Sequence, residues 1–202
     1  MDKEISLEEK KPNLRKDLFD WLDVIVSAVI AVIIIFCFLF RVVTIQGESM
    51  ENTLYSGEKV VITNLFYEAK QGDIVVISRN THNSANDITG QGPIIKRVIA
   101  TEGQYVDIDF KKGKVYVGYD LANMVELEEL YTKTLTTRKA DVEFPVYVDK
   151  GCVFVLGDNR NDSMDSRYST IGNNGLIDTR YILGHAVFRI FPLDRMGGLG
   201  SK

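Results

Sequence analysis

Val24-Ile25-Val26-Ser27-Ala28-Val29-Ile30-Ala31-Val32-Ile33-Ile34-Ile35-Phe36-Cys37-Phe38-Leu39-Phe40 is a run of 17 residues without a charge, bounded by Asp23 and Arg41. As a helix rising about 1.5 Å per residue it covers roughly 25 Å, close to the lower limit for crossing a bilayer. Val42 and Val43 can lengthen it if the Arg41 side chain reaches to the interface. Trp21 stands where an interfacial aromatic belongs. A core helix of a soluble domain is rarely apolar on every face for so long. A cleavable leader needs a small-x-small site soon after the run, where Arg41-Val42-Val43-Thr44-Ile45 follows instead. The run reads as one membrane-spanning helix.

Working outward, Lys3, Lys10, Lys11, Arg15 and Lys16 precede the run and only Arg41 lies close behind it. Short flanks rich in lysine and arginine stay in the cytoplasm, whereas long domains cross largely regardless of charge. The expected organisation is a cytoplasmic tail over 1–20, a transmembrane helix over 21–41 and an extracytoplasmic domain over 42–202. About 160 residues can bury a core without staples. Cys37 lies in the apolar run and Cys152 in a predicted strand, so a disulfide between them is not expected. The formal charge of −4 and the absence of any run of five basic residues exclude a nucleic-acid partner from the reading.

Beyond residue 41 the apolar period is two. Val60–Ile62, Asp73–Ile77, Ile94–Ala100, Tyr105–Phe110, Val115–Tyr119, Val142–Val148, Cys152–Leu156 and Ala186–Phe191 read as strands. Lys111-Lys112-Gly113-Lys114 suits a hairpin turn. Met124, Leu127, Leu130 and Tyr131 suit a short helix within Leu121–Leu135, and Asn80–Gly92 reads as a polar surface loop. The fold class is mainly β: a single N-terminal transmembrane helix followed by an antiparallel, β-rich domain.

Three short blocks carry chemistry. In the first, Gly47-Glu48-Ser49-Met50-Glu51-Asn52-Thr53-Leu54, the small Gly47 permits close backbone approach, and the Ser49 N–H can donate to an oxyanion. In the second, Ile94-Ile95-Lys96-Arg97-Val98-Ile99, Lys96 shares a strand face with Ile94 and Val98, and Arg97 points the other way with Ile95 and Ile99. A lysine on an apolar core face is desolvated and its pKa falls toward neutrality, which suits a general base. The alternative is a lysine on the exposed face of an edge strand. The third block runs from Gly157 to Arg167, Gly157-Asp158-Asn159-Arg160-Asn161-Asp162-Ser163-Met164-Asp165-Ser166-Arg167. It reads either as a solvated loop of paired ions or as a loop in which Ser163 orients the lysine amine. In the second case Asp158, Arg160, Asp165 and Arg167, together with Arg97, are structural ion pairs. His82 and His185 have no ligand array around them, so neither a metal nor any other cofactor is expected.

With these blocks in view, the chain resembles the bacterial type I signal peptidases, membrane-bound serine–lysine peptidases that remove signal peptides from exported proteins. Ser49-Met50 resembles the family's nucleophile block, Gly72-Asp73-Ile74-Val75-Val76 a further block, and Lys96-Arg97-Val98-Ile99 the general-base block. Residues 157–167 and the ending Gly184–Arg195 are also similar. The resemblance implies Ser49 as nucleophile, Lys96 as general base and Ser163 as its hydrogen-bond partner. It implies Gly47 in the oxyanion-hole loop, Met50 against substrate or membrane, and preference for small side chains at substrate positions −3 and −1. Expected partners are signal peptides and the lipid bilayer, with the chain itself monomeric.

Two stretches depart from the family's pattern. Asn52 stands where Ser-Met-x-Pro-Thr has its proline, which stiffens the turn. Ala100-Thr101-Glu102-Gly103-Gln104 stands where Gly-x-Pro-Gly-Asp is common. Rival readings are a non-catalytic anchored β-domain acting as an assembly factor, and a self-cleaving serine–lysine protease of the repressor type. Both reacting residues are retained, against the first. The membrane run and the lack of a DNA-binding segment speak against the second.

Overall fold

The computed structural model describes residues 14–78 and 92–200. The chain divides after Leu39 into two units. The first holds helix α1 (Leu14–Leu39). Its stretch Asp17–Cys37 is long and apolar enough to cross a membrane, and none of it is buried within the protein. Ser27, the one hydroxyl in the run, donates back to the Asp23 carbonyl at 2.7 Å, which satisfies it inside the apolar stretch.

The second unit is built of antiparallel strands. In chain order they are β1 (Phe40–Thr44), β2 (Lys59–Thr63), β3 (Ile74–Ile77), β4 (Ile94–Thr101), β5 (Tyr105–Asp109) and β6 (Lys114–Gly118). There follow β7 (Val125–Glu126), β8 (Val146–Tyr147), β9 (Cys152–Leu156), β10 (Ile177–Asp178), β11 (Ile182–Phe191) and β12 (Gly197–Gly198). One sheet runs β1-β2-β11-β3-β4-β9-β10, with β12 paired to β11; the other runs β7-β6-β5-β8.

Val42 and Val43 do not lengthen the helix. They pair with Val61 and Val60 in a ladder that begins at Phe40↔Thr63, because a β-branched run makes better use of a neighbouring strand than of another helical turn. The expected strand Val142–Val148 shrinks to Val146–Tyr147, since Pro145 brings no N–H to a ladder. The expected helix within Leu121–Leu135 reduces to one 3₁₀ turn, Leu121–Asn123, capped by the Asp120 side chain. Val125 and Glu126 then pair with β6, and Leu130 is 86% exposed. The expected loop Asn80–Gly92, apart from Gly92, and His82 lie outside the described residues.

Three apolar clusters support this frame. Ile45, Met50, Leu54, Val60, Ile62, Ile74, Val76 and Ile95 form one, beneath the turn that follows β1. Val75, Ile77, Val98, Val153 and Val155 anchor a second on the larger sheet. Ile99, Phe154 and Leu156 of that sheet join Val106, Ile108, Val115 and Val117 of the smaller one in the third. Strand β4 contributes to all three and is buried on both faces.

Candidate active site

Residues 45–58 form a loop closed at its base by Ile45 N–H to Glu58 O (2.8 Å) and Gly57 N–H to Ile45 O (2.9 Å). Within it the chain folds tightly over Met50, whose carbonyl accepts from Thr53 N–H (3.1 Å) and Leu54 N–H (2.8 Å). Met50 and Leu54 are 1% and 0% exposed. Met50, read from the resemblance as a substrate or membrane contact, has its side chain buried in the first apolar cluster. It is the hydrophobic peg that seats the turn in the core, because in so short a polar block it is one of the few groups able to fill that site. The peg leaves its neighbour Ser49 half-buried at the surface. Gly47, exposed at φ +84, has open space where a Cβ would stand. The constraint there is conformational, a left-handed backbone that a side chain resists.

Strand β4 runs between β3 and β9, so Lys96 is on an interior strand and not an edge. It is 3% exposed. Its Nζ reaches the Ser49 Oγ at 2.8 Å and donates to the Ile95 carbonyl at 2.8 Å. Two residues 47 apart in sequence thus meet in hydrogen-bond contact.

The loop 157–167 closes over the same turn. Asn159 donates from its backbone N–H to Ser49 O at 3.0 Å and from its side chain to Glu48 O at 3.1 Å. A Cβ on Gly157 would collide with Ser163 Oγ and Ser49 O, so glycine is what lets the loop approach the turn this closely. Ser163 is 5% exposed, yet its hydroxyl has no hydrogen-bond partner among the described residues. The bond from Ser163 to Lys96 expected from the sequence is not formed.

Asp158, Arg160, Asp165 and Arg167 of the loop are buried and bridged, while Asp162 is exposed. Arg97 grips Asp158 with two bonds, Nε to Oδ1 at 2.8 Å and Nη2 to Oδ2 at 2.7 Å. Thr53 donates its hydroxyl to the same carboxylate at 2.5 Å. Arg167 does likewise with Asp165, at 2.8 Å to each oxygen, and Asp165 accepts from Gly157 N–H at 3.0 Å. Arg160 looks outside the block: it pairs with Glu129 and donates to the Thr136 hydroxyl at 2.7 Å. Burial opposes the Arg160 charge, but the Glu129 carboxylate outweighs it and holds the guanidinium above its ordinary value.

Sequence reasoning missed a second set of partners. Arg189 of β11 donates to the Thr53 carbonyl at 2.8 Å and to Glu58 at 3.1 Å, while Arg195 reaches Glu58 at 2.5 Å. Glu58 is 4% exposed. Nothing in the spacing of these residues signals the cluster, since Glu58 and Arg189 stand 131 positions apart. His185 stacks on Tyr67 at 4.2 Å, and its Nδ1 lies 3.0 Å from the Thr63 carbonyl oxygen. Among the described residues no group of His, Cys, Asp or Glu could hold a metal ion.

Residues 18–191 match the family described as signal peptidase, peptidase S26. Similar curated proteins include a signal peptidase I of Bacillus licheniformis, 32% identical, covering 94% of this chain and 97% of that one. Signal peptidase I T of Bacillus subtilis is 34% identical, covering 94% of this chain and 97% of its own. Among solved structures, a signal peptidase I from Enterococcus faecalis is 23% identical, covers 59% of this chain and 97% of its own, and has a TM-score of 0.42.

Proposed function

The chain belongs to the signal peptidase family, peptidase S26, and on that premise we propose how it cleaves signal peptides, with Ser49 as nucleophile and Lys96 as its general base. The observation that carries the reading is the 2.8 Å contact between Ser49 Oγ and Lys96 Nζ, with the lysine buried on an interior strand. When the amine is neutral the same contact runs the other way, with the hydroxyl donating to nitrogen. Ser49 Oγ then attacks the carbonyl before the scissile bond as its proton passes to Nζ. The tetrahedral oxygen takes its negative charge against backbone donors, the Ser49 N–H among them, in the loop that Gly47 opens. Collapse breaks the C–N bond, and Lys96 returns the proton to the leaving amine. Water then attacks the acyl-enzyme and gives its proton to Lys96 Nζ, which passes it to Ser49 Oγ as the ester bond breaks, restoring the hydroxyl.

Ser163 is assigned to steady the amine during these transfers. Its buried hydroxyl, beside Gly157, has no competing partner among the described residues. The substrate is an extended segment with small side chains at positions −3 and −1, bound by strand addition. The basic flank before α1 supports a cytoplasmic N-terminus, with residues 42–202 outside the membrane as a monomer.

The test is cleavage in trans of a preprotein with an Ala-x-Ala site by the purified full chain in detergent. Ser49→Ala and Lys96→Ala should each abolish it, and Ser163→Ala should slow it. Normal processing by the Ser49→Ala protein would refute the assignment. Binding without cleavage by the unaltered chain would favour the anchored assembly factor, and self-cleavage alone the repressor-type protease.

A further inference from the structure

The segment between β7 and β8 has no part in the chemistry above, yet it touches all three blocks that build the site. The Tyr131 carbonyl accepts from the Asn52 side chain, on the outer bend of the nucleophile turn, at 3.2 Å. The Tyr131 ring lies 4.0 Å from the Arg97 guanidinium, next in sequence to Lys96. The Tyr131 hydroxyl donates to Glu129 at 3.0 Å, and Glu129 pairs with Arg160 of the polar loop. Arg160 in turn donates to the Gly157 carbonyl at 3.1 Å and to Thr136 at 2.7 Å.

We propose that Glu129–Thr136 is a brace across the reacting pair, and that Tyr131 and Glu129 are positioning residues for Ser49 and Lys96. Each contact restrains a different piece. Asn52 limits how far the turn can swing away from β4. The ring, with a guanidinium already forked onto Asp158 lying over it at 4.0 Å, confines the side of β4 opposite Lys96. The Glu129–Arg160 pair fixes the loop that contacts the Ser49 carbonyl through Asn159. Burial above all, with the Glu129 carboxylate adding to it, pushes the Tyr131 phenol well above its usual range, so the phenol stays a donor to Glu129. A proton transfer across 2.8 Å tolerates little slack, and drift of about 1 Å can cost on the order of a hundredfold in rate.

This inference rests on the Ser49–Lys96 reading, and three variants of the full chain in detergent test it in the preprotein assay. Tyr131→Phe keeps the ring and the main-chain acceptor and should stay within about threefold of the unaltered rate. Tyr131→Ala removes the ring and should lower kcat by roughly tenfold or more with KM within about twofold. Glu129→Gln, which weakens the Arg160 pair, should also lower kcat and spare KM. Melting curves followed by circular dichroism give the folded fraction at the assay temperature. An unchanged kcat for Tyr131→Ala would overturn the proposal, as would a raised KM at normal kcat or a loss fully accounted for by unfolded protein. The two readings fail separately: active Ser49→Ala removes the mechanism, whereas dead Ser49→Ala beside normal Tyr131→Ala removes only the brace.

Discussion

Restoring the proline common at position 52 in this family should damage the protein. Asn52 sits at φ +90, and a proline ring holds φ near −65°, about 155° away. Both Met50-centred turn bonds, Thr53 N–H and Leu54 N–H to Met50 O, close across this residue. A proline in place breaks them and also removes the Asn52 side-chain bond to Tyr131. At about 1 kcal/mol net for each bond, Asn52→Pro costs about 3 kcal/mol. For a domain of this size each kcal/mol lowers Tm by about 2–4 °C, so the melting point should fall by roughly 6–12 °C. Asn52→Gly, which adopts positive φ freely and loses only the side-chain bond, should fall by no more than about 4 °C. Thermal melts of the full chain in detergent measure both, with preprotein cleavage alongside. An Asn52→Pro protein that melts at or above the unaltered one and cleaves at full rate would refute the argument, because the turn would then hold an ordinary negative φ at this residue.

Met50→Ala should destabilise the domain by about 2–5 kcal/mol through the cavity left in the core, seen as a lower denaturant midpoint; a weaker affinity for substrate at unchanged stability would contradict its placement. Arg97→Met, which strands the Asp158 carboxylate in the interior, should cost about 3–5 kcal/mol in the same measurement, and an effect within the range of a surface pair would argue against that burial. The proposed role of Lys96 as a neutral base requires cleavage to fall as pH is lowered; a rate flat from pH 9 to pH 5 would exclude Lys96 as the base. Burial, aided by Asp178 and Asp149, raises the Cys152 thiol above its ordinary value. At neutral pH it should alkylate more slowly in the folded than in the unfolded chain, a difference that mass spectrometry reads directly.

The helix and most strands were legible because both signals are local: an unbroken apolar run, and alternation over five to eight residues. The juxtaposition of Ser49 and Lys96 was legible only by way of resemblance, since no periodicity links positions 47 apart. What escaped was set by distant partners. Met124, Leu127, Leu130 and Tyr131 are spaced for a helix, but Val125 and Glu126 are claimed by β6, and Tyr131 is turned toward Arg97 and Asn52. Tertiary bonding overrode the local pattern. Met50 misled for the opposite reason: surrounded by polar residues, it carries no periodicity, and its burial depends on a cluster drawn from β2, β3 and β4. Arg160 shows the same limit, for its partner Glu129 lies outside the loop that seemed to balance its own charges.

The placement of β11 between β2 and β3 has a consequence in time. The early strands cannot close into their sheet until a segment from near the end of the chain arrives to fill the gap. That same strand carries Arg189, which grips the Thr53 carbonyl from 136 residues away. Pairings so remote along the chain form late, after the entropy of closing the loop between them has been met. A chain made from its N-terminus therefore presents the turn around Ser49 long before the strand that clamps it exists, and that turn is among the last parts of the domain to be set.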